Sequence, residues 1–248
     1  MKLLALEAST KNFSLAIFKE NKVLKESNVI LKEVLSDSII PGIERILSDA
    51  GISLKDLSGF VIGLGPGSFT SLRVGLATLK ALNLATGKPL VGIPSPDALA
   101  WGVKDYKKEE VSLICTLSDA RRNLIYACLY QKKDSQLKRI TGYQLTTLDK
   151  ILKQLSRGTA CRAPALFVGD GIQLYREEII KKFQINVGAR HAVPLRYTPL
   201  FAKEEDWYPK AKHLLSLALD RFRKKKFDNV DQLVPLYLYP QDCQVERK

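Results

Sequence analysis

GPGSFTSLRVGLATLKAL (residues 65–82) decides how this chain is read, and it follows directly on the short apolar run FVIGL (60–64). A continuous apolar run bounded by glycines is the pattern of a buried, parallel strand. The helical periodicity then continues to about Thr86, where Gly87 and Pro89 supply a stop. Between strand and helix, Gly65 and Gly67 allow close backbone approach to a neighbour or ligand, and the helix start offers free N–H groups to an anion. No Lys-Ser or Lys-Thr follows the glycines and no GxGxxG is present, so neither standard phosphate loop is spelled out. Ser68 and Thr70 are therefore readable as helix caps or as part of an anion site, with capping the simpler account.

The helix that follows lacks a clean polar stripe. At about 100° per residue, Leu72, Val74, Leu76, Leu79, Leu82 and Leu84 spread over most of its circumference, interleaved with Gly75, Ala77, Ala81 and Ala85. Such a helix needs cover on more than one side, from its own fold or from a second chain, and its small residues permit close helix approach.

Upstream, LLALEAS, FSLAIFKE and VLKESNVI, with a turn at Asn21, read as an antiparallel meander. From Ser36 the period lengthens, with Ile39, Ile43, Ile46 and Leu47 at helical spacing until Gly51, and Pro41 is expected in or near the first turn. Downstream, LVGI (90–93) is another short strand before Pro94 and Pro96. The second half partly repeats this outline. VSLICTL and NLIYACLY form a hairpin around Asp119, and a helix covers 148–155. The strand ALFV leads into Gly169-Asp170-Gly171 and a helix over 172–183, and a last helix spans 209–226. Two similar halves, 1–102 and 103–248, would face each other across a cleft, with the last helix free to pack back on the first half.

Composition sets the outer limits. The 248 residues are 46% hydrophobic and 26% charged, near the globular average, with no apolar run long enough to span a bilayer. MKLLALEAST is interrupted by Glu7 before a signal-peptide core develops, so it reads as a first strand. Cys115, Cys128, Cys161 and Cys243 form no CxxC pair, and the only histidines are His191 and His213. Neither a zinc set nor a disulfide framework follows, and reduced thiols in a cytoplasmic protein are expected. The net charge of +13 suits a polyanionic or acidic partner. RFRKKKF (221–227) is the one dense basic cluster, and a solvated helix C-terminus favoured by the dipole is a simpler account of it than contact with a nucleic acid.

With these residues in view, the chain resembles the TsaB (YeaZ) family, a branch of the actin-like ATPase superfamily related to the TsaD/Kae threonylcarbamoyl transferases. GPGSFTSLRVGLATLKAL carries the likeness; LALEAST, SDARRNLIYACLY, FVGDGIQLY and PLYLYP support it in order along the chain. The resemblance implies an α/β fold of two actin-like (ribonuclease H-like) domains, each a mixed sheet flanked by helices, with a cleft between them. It also implies a heterodimer with a TsaD-type catalytic subunit through the first two helices, about 36–50 and 70–86. On that basis Ile39, Ile43, Ile46, Leu47, Leu72, Gly75, Leu76 and Leu79 are the expected interface, and Leu76→Glu should break pairing while leaving the fold intact. The wider assembly includes a TsaE-type ATPase, tRNA held by the complex, and threonylcarbamoyl-AMP as substrate; in isolation, pairing of the chain with itself as a homodimer stays open.

The same resemblance points away from chemistry in this chain. Catalytic relatives hold a metal through a His-x-x-x-His pair in the first helix, whereas LSDSIIPGIERIL has no histidine, and Asp37 with Glu44 makes a poor transition-metal site. The first phosphate loop of the superfamily carries an Asp closely followed by Gly, but Glu7-Ala8-Ser9-Thr10-Lys11-Asn12 has no glycine. Ser9, Thr10, Gly65, Gly67, Ser68, Asp119, Arg121, Gly169 and Gly171 remain candidates for the cleft, with ATP or ADP binding weak if present and any metal in the partner. Asp170 would repel phosphate, and Asp119 with Arg121 and Arg122 reads as an ion-paired turn. No nucleophile or metal motif supports a glycoprotease. The expected function is a non-catalytic accessory subunit for threonylcarbamoyl transfer to the adenosine beside the anticodon. The alternatives are a self-sufficient ATP-dependent transferase or kinase of the same fold and a homodimeric interaction module.

Overall fold

A computed structural model describes residues 1–31, 35–106, 111–133, 136–155, 164–185 and 199–239. The first sheet is built from β1 (Lys2–Glu7), β2 (Asn12–Lys19), β3 (Lys22–Ile30), β4 (Gly59–Gly63) and β5 (Leu90–Ile93), in the order β3-β2-β1-β4-β5. β1, β2 and β3 pair antiparallel, while β1, β4 and β5 pair parallel. The crossovers are α1 (Leu35–Asp49), between β3 and β4, and α2 (Phe69–Thr86), between β4 and β5. α3 (Ser95–Gly102) leads into the second sheet, formed by β6 (Leu113–Asp119), β7 (Ile125–Lys133), β8 (Gln136–Arg139), β9 (Gln144–Thr146), β10 (Ala165–Val168) and β11 (Leu200–Phe201). Its order is β11-β10-β6-β7-β8, with β9 also paired to β7. The crossovers here are α4 (Leu148–Leu155) and α5 (Ile172–Ile185), and α6 (Ala211–Arg223) comes last. Each half is thus a meander continued by parallel strands, the mixed-sheet α/β fold expected.

The period-two alternation of β1 explains the layering. Leu4 and Leu6 point into a core shared with Ile39, Ile43 and Ile46 of α1 and Leu76 and Leu79 of α2. Leu3 and Ala5 point the other way, onto Leu214, Leu215 and Ala218 of α6. A strand covered on both faces cannot carry polar side chains along its length, which is why LLAL is apolar throughout. Leu3, Leu4 and Leu6 are entirely buried, and each contributes about 1.5–3 kcal/mol by that burial. β6 repeats the device: Leu113, Cys115 and Leu117 face α4 and α5, while Ile114 faces Leu99 and Ala100 of α3. α6 therefore lies on the first sheet although it follows the second in sequence, and Ala211 N–H donates to Ser14 Oγ of β2 at 2.8 Å.

The chain after α6 also returns to the first half. Asp228 N–H donates to Leu90 O at 3.2 Å and its carboxylate accepts from Gly92 N–H at 2.8 Å; Leu236 N–H donates to Leu64 O at 2.8 Å. The Tyr239 hydroxyl then reaches Ala120 O at the second sheet.

Several expectations shift. Pro41 lies inside α1 beyond its first turn; it is exposed, so the helical carbonyl left without an N–H lies on the solvated side. The last helix spans Ala211–Arg223, shorter than 209–226, and α3, β8, β9 and β11 have no counterpart in the outline drawn from periodicity. In the basic cluster, Arg221 pairs with Asp228 at 2.7 Å and donates to Gly92 O, and Phe222 is core, so part of that cluster is structural. Cys115 and Cys128 are buried free thiols, and burial pushes both up from the ordinary thiol value. Cys161, His191 and Cys243 lie outside the described residues. No described helix is long and apolar enough to cross a membrane.

Candidate functional site

The ends of β1, β4 and β5 converge on the loop 64–68 before α2. Glu7 closes β1 with its carboxyl wholly buried; one oxygen accepts from Ser9 N–H and the other from the Ser95 hydroxyl, each at 2.7 Å. Burial raises the Glu7 carboxyl above its usual range, while the hydrogen bonds from Ser9 and Ser95 oppose that shift. Ser95, at the start of α3, also accepts from Gly65 N–H at 3.1 Å and donates its own N–H to Gly65 O at 2.9 Å. Ser68 donates its N–H to Ser9 O at 2.8 Å and caps α2 by accepting from Ser71 N–H. Thr70 is an exposed residue of the first helical turn, and the Thr10 hydroxyl accepts from Asn12 N–H. Ser9 Oγ is buried with no hydrogen-bond partner among the described residues.

The glycines here make room for protein. A Cβ on Gly63 would stand 2.1 Å from a Glu7 oxygen, and one on Gly67 would stand 2.0 Å from Ser9 O. Gly65, at φ +82°, would put a Cβ 2.5 Å from Leu72. Close backbone approach is real in this loop, and its objects are Glu7, Ser9 and Leu72.

Asp119, Arg121, Gly169 and Gly171 gather on the opposing half. Gly169 has φ +130° and a Cβ there would meet Leu117 O at 2.2 Å; one on Gly171 would meet the Leu117 side chain at 2.3 Å. The GDG turn is thus packed hard against β6. Asp119 N–H donates to Asp170 at 3.3 Å, and the Asp170 carboxyl is raised mainly by burial, with the charge of Asp119 adding to it. Asp119 accepts from Arg121 N–H at 2.8 Å and its other oxygen is 3.6 Å from the Arg121 guanidinium, an ion-paired hairpin end. Lys11, from the loop after β1, faces this half: its ammonium is 5.5 Å from the centre of the Tyr208 ring. Tyr208 raises the Lys11 ammonium, with smaller help from Asp170 and Glu204. Sequence reasoning does not single out Lys11, Tyr208 and Glu204, because their proximity depends on how the halves face each other. Among the described residues no three His, Cys, Asp or Glu side chains gather as a metal site.

Ile39, Ile43, Ile46, Leu47, Leu72, Gly75, Leu76 and Leu79 are all buried inside this chain, where all but Leu72 and Gly75 join the α1–α2–sheet core. These residues lie on the sides of α1 and α2 that are used internally. What α1 and α2 leave outward is different: on α1 Ile40 and Pro41 among polar residues such as Asp37, Glu44 and Arg45, and on α2 Phe69, Thr70, Arg73, Ala77, Ala81, Leu84 and Ala85. Leu84 is 87% exposed. Leu76 is 6% exposed, so a charge there would enter the core rather than an interface.

Two mixed α/β sheets of matching topology, each with helices packed on it, define the actin-like class of fold. The YeaZ protein of Pseudomonas aeruginosa superposes with a TM-score of 0.73 over 96% of this chain and 99% of that chain, at 21% identity. A family model described as "TsaD: tRNA N6-adenosine threonylcarbamoyltransferase" matches residues 30–247. The tRNA threonylcarbamoyladenosine biosynthesis protein TsaB of Bacillus subtilis is 30% identical over 179 residues, 72% of this chain and 75% of that protein. Its Escherichia coli namesake is 24% identical over 238 residues, 96% of this chain and 94% of that protein. The chain belongs to the TsaB (YeaZ) family.

Proposed function

We propose that this chain serves the formation of threonylcarbamoyladenosine on tRNA as a cytoplasmic, partner-binding subunit that performs no chemistry itself, docking a TsaD-type transferase through the outward faces of α1 and α2. The observation that carries this reading is the outer side of α2, where Arg73, Ala77, Ala81 and Leu84 are exposed along one face of a helix whose other side is core. Small residues backed by a rigid sheet invite a second helix to approach closely. The relatives' names supply the pathway.

The cleft supports the division of labour. The loop that would cradle a phosphate is filled by Glu7, Ser9 and Leu72, and the facing wall presents Asp119 and Asp170. The two carboxylates of that wall disfavour a nucleotide phosphate there unless a cation intervenes. In this reading the partner holds the metal and the tRNA adenosine, whose exocyclic amine attacks the carbonyl of threonylcarbamoyl-AMP; a C–N bond forms, the bond to phosphate oxygen breaks, and AMP leaves. A TsaE-type ATPase completes the assembly.

The test is reconstitution with a TsaD-type subunit, a TsaE-type ATPase, tRNA and threonylcarbamoyl-AMP, with this chain present or omitted. Modified tRNA should form efficiently only when it is present. ATP turnover by the isolated chain would instead favour a self-sufficient enzyme, and a homodimer that never exchanges for the transferase would favour a stand-alone module.

A further inference from the structure

At the N-terminal end of the outward face of α2, an arginine is held in place by aromatic rings from two distant parts of the chain. The Arg73 guanidinium lies 3.8 Å from the centre of the Phe69 ring, one helical turn earlier, and 5.7 Å from that of Tyr237, in the segment that returns after α6. The two rings are themselves 5.3 Å apart. Arg73 Nε donates to the Tyr237 hydroxyl at 2.9 Å. Its two terminal nitrogens have no hydrogen-bond partner and no carboxylate within salt-bridge distance among the described residues. Stacking and the Nε bond remove much of the rotamer freedom that a surface arginine otherwise loses on binding, while the residue stays exposed.

We propose that Arg73 is a preformed carboxylate-binding fork at one end of the α2 docking face, and that its occupant is an acidic side chain on a helix of the partner protein. This rests on the docking reading above and names the chemistry at one end of that surface. Arg73, Ala77, Ala81 and Leu84 follow one another at i, i+4, i+8 and i+11, a single stripe: a charged fork, two small residues, then an exposed leucine. A partner helix lying along this stripe meets a cation at one end and an apolar side chain at the other, with close backbone approach between. A guanidinium fork pairs bidentately with a carboxylate. Exposed Phe69 and Tyr237 beside the fork shield that pair from water and make the aromatic–arginine grouping typical of protein hot spots. The net charge of +13 adds long-range attraction for an acidic partner.

The experiment titrates the purified TsaD-type subunit with wild-type chain, Arg73→Ala, Arg73→Lys and Leu84→Glu, at low and high salt, with circular dichroism to confirm folding. Arg73→Ala should weaken pairing by about 10- to 100-fold and flatten its salt dependence, with Arg73→Lys between it and wild type because lysine keeps the charge but not the fork. If Leu84→Glu abolishes pairing while Arg73→Ala binds like wild type, the fork proposal is overturned and the docking reading stands. If neither variant affects pairing, the docking reading fails and the fork with it. If Arg73→Ala spares pairing but weakens tRNA binding by the assembled complex, the fork faces phosphate and the proposal is again overturned.

Discussion

Glu7 and Ser95, separated by 88 positions, meet through a 2.7 Å hydrogen bond from the Ser95 hydroxyl to the Glu7 carboxyl, which ties the end of the central strand to the start of α3. No cation accompanies this buried carboxyl among the bonds it makes. The loop that opens α2 is packed around it: Gly63 lies against the Glu7 carboxyl, and Ser95, which donates to Glu7, also accepts from Gly65 N–H.

That acid sets a pH dependence. Its folded pKa lies above the unfolded value, so its contribution to stability is complete below about 4.5 and is lost as pH rises through the raised folded value. A tenfold difference in proton affinity between the folded and unfolded chain is worth about 1.4 kcal/mol. Glu7→Gln should flatten this part of the profile, seen as a smaller fall in the urea midpoint between mildly acidic and mildly alkaline buffer.

His213 acts in the opposite direction. Burial first, then Lys212 and Lys210, lowers its imidazole from 6.5 to about 4. The folded pKa is depressed, so stability from the neutral imidazole is complete above about 6.5 and is lost as pH falls toward about 4. His213 packs against Gly102 of α3, where an added Cβ would stand 2.6 Å from the ring. His213→Leu should shift the acid-unfolding midpoint to lower pH, read by fluorescence.

Glycines at the loop should be intolerant for steric reasons alone. Gly63→Ala and Gly67→Ala each drive a Cβ into Glu7 or Ser9 O and should cost about 1–3 kcal/mol. Gly142→Ala, with nothing within 4 Å of the new atom, should stay within about 0.5 kcal/mol of wild type in the same melts.

Leu76 and Leu84 separate core from surface on one helix. Leu76→Glu buries a charge without a partner and should unfold the protein or cost more than about 3 kcal/mol. Leu84→Glu, on an almost fully exposed position, should melt like wild type. Thermal denaturation of the two variants side by side checks this.

Much of the fold was legible because burial on two faces leaves a plain mark: LLAL, FVIG and LICTL are short, almost wholly apolar runs, as strands covered on both faces require. α3 was hidden by Pro94 and Pro96, which read as a break although proline suits a helix start. Leu72, Leu76 and Leu79 lie on one side of α2, and helical spacing alone leaves open that residues of the same chain cover that side. The Arg73–Tyr237 bond spans 164 positions, and no local pattern in either segment announces it.

Modified tRNA formed by a TsaD-type subunit, a TsaE-type ATPase and threonylcarbamoyl-AMP, measured with wild-type chain and with folded Leu84→Glu at equal concentration, tests the account most directly. Docking through the outer face of α2 predicts that wild type supports modification and that Leu84→Glu, although folded, leaves it no higher than when the chain is omitted. Modification by Leu84→Glu at the wild-type rate would contradict it.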